Sequence, residues 1–325
     1  MIKPKNIGSL SMKGGRKDNF YFCLIEHYAN ADEGNNLGFQ EDRWFLKSLL
    51  PVKEEEEENT DDVIRSWIQK FNVEQLVVDF PLTTPMCQNC ELDCPGVKSC
   101  PQLEVVTVNK KMEELLAKDQ ELLTTNPKKY EQDRNRADEI VYNKNIFEKE
   151  THHHLLSRSF KRRLKKGYIP YWNRPIDLWM WKYYYDPILE MFNTSFDSFG
   201  HTSLMMLSRF AYLKRHFPKS LELFEANEHV ILIELLRSKI ILKKDVVSLQ
   251  DIDLGIESRL DFIKKVEKEL NIFIYNHDLE ILVKNPRAFD SFLLALAGQN
   301  VLQKKNRSLP DWTKPQETRF VVPHF

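Results

Sequence analysis

Gln75-Leu-Val-Val-Asp-Phe80 is the stretch from which the architecture is read. A short apolar run between polar neighbours is the signature of a strand buried on both faces, at the centre of a parallel or mixed sheet. Just upstream, 61–71 has a helical pattern: Val63, Trp67 and Ile68 fall near one face, Asn59 or Thr60 is a capping residue, and Asp61 and Asp62 suit the helix N-terminus. The five glutamates at 54–58 repel one another and read as a solvated loop, and before them Arg43-Trp-Phe-Leu-Lys-Ser-Leu-Leu-Pro-Val52 is strand-like. Earlier still, Asn6 to Met12 and Phe20 to Tyr28 flank the turn-forming Lys13-Gly-Gly-Arg-Lys-Asp18, a β-hairpin. The order to this point is β-β-β-α-β.

Downstream of the central run, 109–167 is rich in charge and poor in strand formers, with helical stretches at 111–123 and 133–147. Aromatic density rises across 168–199. A helix follows at 203–215, a fifth strand at Leu221-Glu-Leu-Phe-Glu-Ala226, and further helices at 230–241, 257–270 and 286–302. A three-strand meander, a helix, a central strand and then alternating helix and strand is the order of the RNase H-like fold. The expected class is therefore α/β with a mixed sheet. The expected division is an RNase H-like domain over 1–108 and 168–310, including a cysteine knuckle at 86–101, with a charged helical insertion at 109–167 and a tail at 311–325.

The 325 residues carry 47 basic and 48 acidic side chains, so no overall field draws the protein to polyanions, and any nucleic-acid affinity must be local. No apolar run is long enough to span a membrane, and the N-terminal residues lack the apolar core of a signal peptide, so the sequence reads as cytosolic. Four of the five cysteines, Cys87, Cys90, Cys94 and Cys100, form C-x2-C-x3-C-x5-C, with Pro95-Gly96 as a turn. Short spacings of this kind bring thiolates together around one metal. Structural zinc is the expectation, with an iron-sulfur cluster as the rival.

An acid in or beside a buried strand needs a metal, a donor or a cleft. Asp79 ends the central run, Glu225 ends the fifth strand, and Asp290 is the polar member of Ala288-Phe-Asp-Ser-Phe-Leu-Leu-Ala-Leu-Ala297, a helix otherwise built for packing. Three acids on three separate elements are the pattern of a site that holds Mg or Mn for phosphodiester hydrolysis. The bland reading of each is a turn cap, a helix-start residue or a surface acid. Arg158-Ser-Phe-Lys-Arg-Arg-Leu-Lys-Lys166, with Arg162 and Arg163 at its centre, is the densest basic stretch, and Tyr168, Tyr171 and Trp172 follow it. Such a patch grips phosphates and stacks bases, or is simply a solvated helix end. His152 to His154 point in different directions on a helix and read as a surface run. The phosphate-cradling glycine loop, the G-x-S-x-G elbow and the H-E-x-x-H motif are all missing from the sequence.

Several pieces together resemble a bacterial family of predicted RNase H-like nucleases: Val78-Asp-Phe-Pro-Leu82, the Cys87 to Cys100 run, Ile169-Pro-Tyr-Trp-Asn-Arg174, Leu207-Ser-Arg-Phe-Ala-Tyr-Leu-Lys214, Leu223-Phe-Glu-Ala226 and Ala288-Phe-Asp-Ser291. The resemblance implies a metal-dependent nuclease with Asp79, Glu225 and Asp290 at its metal site, and Tyr171, Arg174, Asp177 and Arg209 at substrate-binding positions. One departure matters. The family's first strand reads Gly-Ile-Asp, whereas this chain has Gly8-Ser9-Leu10, and Asp18 stands roughly 15 Å further along a strand. Without the central carboxylate the alternative is a non-catalytic module that binds nucleic acid or protein. A phosphotransferase on a related scaffold ranks last, for want of a glycine-rich phosphate loop.

Overall fold

The computed structural model describes residues 4–12, 20–29, 42–53, 59–128, 130, 158–171, 173–192, 201–246, 248–313 and 319–325. The chain divides into two compact units. One comprises Met1–Leu82, His201–Arg307 and Arg319–Phe325, and the other Thr83–Gly200 and Ser308–Thr318.

The first unit is a six-stranded mixed sheet, ordered β5-β4-β1-β2-β3-β6. Strands β1 (Lys5–Ser11), β2 (Phe20–Tyr28) and β3 (Arg43–Val52) form the antiparallel meander, and helix α1 (Thr60–Lys70) follows it. Asn59 caps α1, its side chain accepting from the amides of Asp61 and Asp62 at 3.0 Å each. Strand β4 (Gln75–Val78) then pairs parallel to β1, and β5 (Glu222–Glu225) parallel to β4. All four residues of β4 are buried, polar Gln75 along with the apolar Leu76, Val77 and Val78 that a strand covered on both faces requires. A sixth strand, β6 (Ile272–Phe273), pairs parallel to β3 and was not expected from the sequence.

Alternation sorts the sheet side chains onto two faces. Leu10, Phe22, Leu24, Leu76 and Val78 meet Ile64 and Ile68 of α1 in one core, together with Phe210 and Leu213 of a helix at His201–Lys214. After β5 come further helices at Glu228–Arg237, Gly255–Leu270 and Asn276–Lys284, and the chain then enters the buried helix Pro286–Leu302. That last helix lies against the sheet so closely that a Cβ on Gly298 would stand 2.5 Å from Ile7 Cγ2 and 3.1 Å from Val77 Cγ2.

The second unit holds α2 (Leu103–Thr125), α3 (Arg158–Lys166) and α4 (Pro175–Phe192). We accordingly number the helices at His201–Lys214, Glu228–Arg237, Gly255–Leu270, Asn276–Lys284 and Pro286–Leu302 as α5 to α9. Val105, Val108, Met112 and Leu115 of α2 pack with Leu164, Tyr168, Leu178 and Trp181, and Cys100 and Trp312 lie against them.

The two units cut the chain at other points than the expected domains, and Val105, Val108, Tyr168, Leu178 and Trp181 pack together in the second unit. The tail is also divided. Residues 319–325 return to the sheet, where Glu225 N donates to Arg319 O at 2.9 Å and Val321 N to Glu225 O at 2.7 Å. The expected hairpin turn at 13–18, the glutamate run and the helix at 133–147 lie outside the described residues.

Candidate functional site

The parallel strands β1, β4 and β5 end together at one edge of the sheet, and two of the three expected acids stand there. Asp79 follows β4 directly. Its carboxylate accepts from Ser11 Oγ at 2.6 Å and from Met12 N at 2.9 Å, both at the end of β1. Glu225 is the last residue of β5 and the register partner of Val78; it is buried and accepts from Leu82 N at 3.0 Å. The ends of two neighbouring strands thus each carry a carboxylate, at the carboxyl edge where open α/β sheets bind ligands.

Asp290 lies in the second turn of α9 and is buried. It accepts from Gln250 Nε2 at 3.0 Å and stands 3.6 Å from Arg287 Nη1. One residue on, the Ser291 carbonyl accepts from Ser9 Oγ at 2.6 Å, and Ser291 Oγ donates to Tyr21 O at 2.7 Å. Ser9 is completely buried. The Ser9 hydroxyl thus fastens α9 to β1.

Among the described residues, no three of His, Cys, Asp and Glu are arranged to hold a metal ion. In this arrangement each of the three carboxylates accepts hydrogen bonds from donors of its own. The cysteines differ in kind, since four soft thiols are a complete structural donor set in chemistry. Cys87, Cys90 and Cys100 are half-buried and Cys94 is exposed. The Cys87 thiol is pushed up, first by burial and then by the charges of Cys100, Cys90 and Cys94, so those three lie within electrostatic reach of Cys87. Short 3₁₀ turns at Met86–Asn89 and Val97–Ser99 shape the segment, and Cys87 N donates to Pro170 O at 3.2 Å.

The expected substrate-binding residues take different places. Tyr171 is well exposed, but Arg174 and Asp177 form a buried pair at the start of α4. Arg174 Nη2 meets Asp177 Oδ1 at 3.0 Å, Arg174 N donates to Asp177 Oδ2 at 2.6 Å, and Nη1 reaches Thr83 Oγ1 at 3.2 Å. The pair terminates the N-terminus of a helix and leaves little of either group for a ligand. Arg209 on α5 is similarly engaged: Nε donates to Asp61 Oδ1 at 2.7 Å, Nη2 to Thr60 Oγ1 at 2.6 Å, and the guanidinium lies 5.3 Å from the centre of the Phe20 ring. It fastens the first turn of α1.

The described basic side chains of α3 fall on two faces. Leu164 is buried, while Lys161 turns to α2, ion-paired with buried Asp119 and donating to Tyr130 Oη at 3.1 Å. Tyr130 Oη in turn donates to Asp119 at 2.9 Å. Arg162, Lys165 and Lys166 face solvent. Gly167, at φ +88°, ends the helix in a conformation that L side chains rarely adopt, and the chain turns there toward Tyr168 and Tyr171. The Arg163 side chain, Trp172 and the run His152 to His154 lie outside the described residues.

Sequence reasoning missed Ser11, Gln250, Glu104 and the Asp119-Tyr130-Lys161 staple. Glu104 accepts from Tyr168 Oη at 3.3 Å, and its carboxyl is raised mainly by burial. It also missed Arg259, although a signal was present: Arg259 shares a helical face with Phe262, Ile263 and Val266, all buried. No protein-family model, curated protein or solved structure matches this chain.

Proposed function

We propose that this chain is a nucleic-acid-binding protein on an RNase H-like sheet, with α3 and Tyr171 as the contact surface and with its carboxylates serving the fold. The observation that carries the non-catalytic part is Ser9, a fully buried hydroxyl bonded to Ser291 O where a two-metal site needs its bridging acid. For binding, the support is the outward set Arg162, Lys165 and Lys166 on a helix whose remaining face is pinned, with the exposed Tyr171 ring a few residues on. The cysteine segment, whose Cys100 packs against the core of the same unit, is proposed to take structural zinc; iron-sulfur ligation is the alternative.

Fluorescence anisotropy with labelled single-stranded and duplex DNA and RNA, read across a salt series, tests this. The expected result is an affinity that falls steeply with salt, and a log-log slope reduced by about one for each of Arg162→Ala and Lys166→Ala. Absence of binding at low salt for every substrate refutes it.

A second reading is supported by the adjacency of Asp79 and Glu225 at the ends of parallel strands. It is a divalent-metal-dependent nuclease with Asp290 as the third acid and Mg or Mn supplying the Lewis acid. Digestion of the same nucleic acids with Mg or Mn, lost in Asp79→Asn, would establish that reading over the first.

A further inference from the structure

Between α6 and α7 the chain passes through a turn that runs into the first residues of α7, 250–257 together, and its inner side is fixed to an unusual degree. Leu249 is fully buried beneath it, and Gln250 Nε2 donates to Asp290. Arg259, also fully buried, spends its guanidinium on main-chain carbonyls: Nη1 donates to Leu249 O at 2.5 Å and Asp251 O at 2.6 Å, Nη2 to Ile252 O at 3.0 Å, and Nε to Val283 O at 2.6 Å. Asp251 Oδ1 closes the turn, accepting from Asp253 N at 3.0 Å and Leu254 N at 2.7 Å. Gly255 leaves the space that the guanidinium occupies, since a Cβ there would collide with Arg259 Nη1 and stand 2.5 Å from Ser248 O.

The outer side is the reverse of what such a clamp ordinarily serves. Ile252 is 66% exposed, Leu254 76% and Ile256 38%. Single exposed aliphatics are common, but three at alternate positions on a locked backbone make a concentrated apolar projection. Asp251, Asp253 and Glu257 alternate with them and are exposed, and 250–257 contains no lysine or arginine. The acids suit the N-terminus of α7, which carries partial positive charge. That role gives no account of the aliphatic side chains between them.

We propose that the 250–257 turn is a docking projection for a protein partner that offers an apolar socket rimmed by lysine or arginine. Charge complementarity selects that occupant: three carboxylates around three aliphatic tips repel anionic lipid and nucleic acid and attract a cationic rim. Because Arg259 already holds the backbone, association loses little conformational entropy in the turn. The proposal rests on 250–257 alone and does not depend on the proposed binding of nucleic acid.

The test is selection of a displayed random-peptide library on the full chain, followed by affinity measurement with the enriched peptides made synthetically. The expected peptides combine Lys or Arg with large apolar residues and bind less tightly as salt rises. Their affinity should fall about tenfold or more in the double variant Ile252→Ser, Leu254→Ser, the scale of losing central apolar anchors. Leu103→Ser, which removes an equally exposed aliphatic elsewhere, should leave it unchanged. The proposal is overturned if no peptide is enriched, if the enriched peptides lack cationic residues, or if Leu103→Ser is as damaging as the double variant. Sedimentation showing self-association abolished by Leu254→Ser would overturn it in favour of a second copy. Flotation with phosphatidylglycerol vesicles, if abolished by the same variant, would overturn it in favour of a membrane.

Discussion

Replacing Arg259 by methionine isolates the contribution of one guanidinium. The substitution keeps an unbranched stem of similar reach but strips the donors from four carbonyls, those of Leu249, Asp251, Ile252 and Val283. Hydrogen bonds involving a charged partner contribute about 1.5–3 kcal/mol each, which sets an upper bound of roughly 6–12 kcal/mol. Desolvating the cation opposes this by several kcal/mol. Burial lowers the proton affinity of Arg259, while Asp251 and Asp290 act in the other direction. Two of the four carbonyls, those of Asp251 and Ile252, belong to an exposed turn and regain water once the clamp is lost. The net cost is therefore expected at the low end of broken buried networks, about 3 kcal/mol. Urea unfolding reports the total, and hydrogen exchange at 249–254 locates it, with protection in the turn falling further than protection in β1 and β4. Gly255→Ala should act in the same direction by displacing the guanidinium. A loss below about 1 kcal/mol, with exchange in the turn unchanged, would show that the carbonyls are satisfied without Arg259 and that the turn is not held from within.

Ser9→Ala should cost about 1–2 kcal/mol in urea unfolding, because Ser291 O loses its buried donor, while Ser9→Asp should cost more and leave nuclease assays with Mg or Mn blank. Asp278 is buried, with its carboxyl raised by desolvation, and its Oδ2 makes no hydrogen bond although His277 Nε2 stands 3.2 Å away. A folded-state value above the unfolded one means that the folded chain binds the extra proton, so stability declines as pH climbs from the ordinary aspartate range through the raised value. Asp278→Asn should therefore stabilise the protein at pH 7, with the gain vanishing near pH 4 in thermal melts. Asp119→Asn should weaken binding of labelled nucleic acid by loosening α3, and raise exchange across Arg158–Lys166, without altering protection in the sheet. Elemental analysis is expected to find one zinc per chain, and chelation to destabilise the inserted unit selectively; iron with sulfide would replace that assignment.

How much of this was legible depended on whether a residue's neighbours in sequence were also its neighbours in space. The meander and β4 were readable because alternating or unbroken apolar runs carry their own period, and α1 because Asn59 and its following acids mark a helix start. Strand β6 has only two residues, too short for any period. The helix α4 is apolar and aromatic on many sides, so 168–199 reads as a hydrophobic region without a face. The acids were found as residues but not as roles. Nothing in the sequence around Asp79 shows that Ser11 and Met12, some sixty-seven residues earlier, supply its donors. Arg174 and Asp177 lie close in sequence, and their pairing at a helix start was open to local reasoning.

The position of the inserted unit also governs when the sheet can be completed during synthesis. Gln75 and Glu222, paired across β4 and β5, are 147 residues apart. At ribosomal speeds of about 5–20 residues per second, the β4 edge emerges and waits roughly 7–30 s for its partner. That edge is Gln-Leu-Val-Val, uncharged and buried on completion, the type of strand that pairs indiscriminately with other chains. Early folding of the inserted unit shortens the effective loop that must close and lessens its entropic cost. Trigger-type holdases should accordingly engage nascent chains that end between residues 110 and 220, and release them once β5 has emerged.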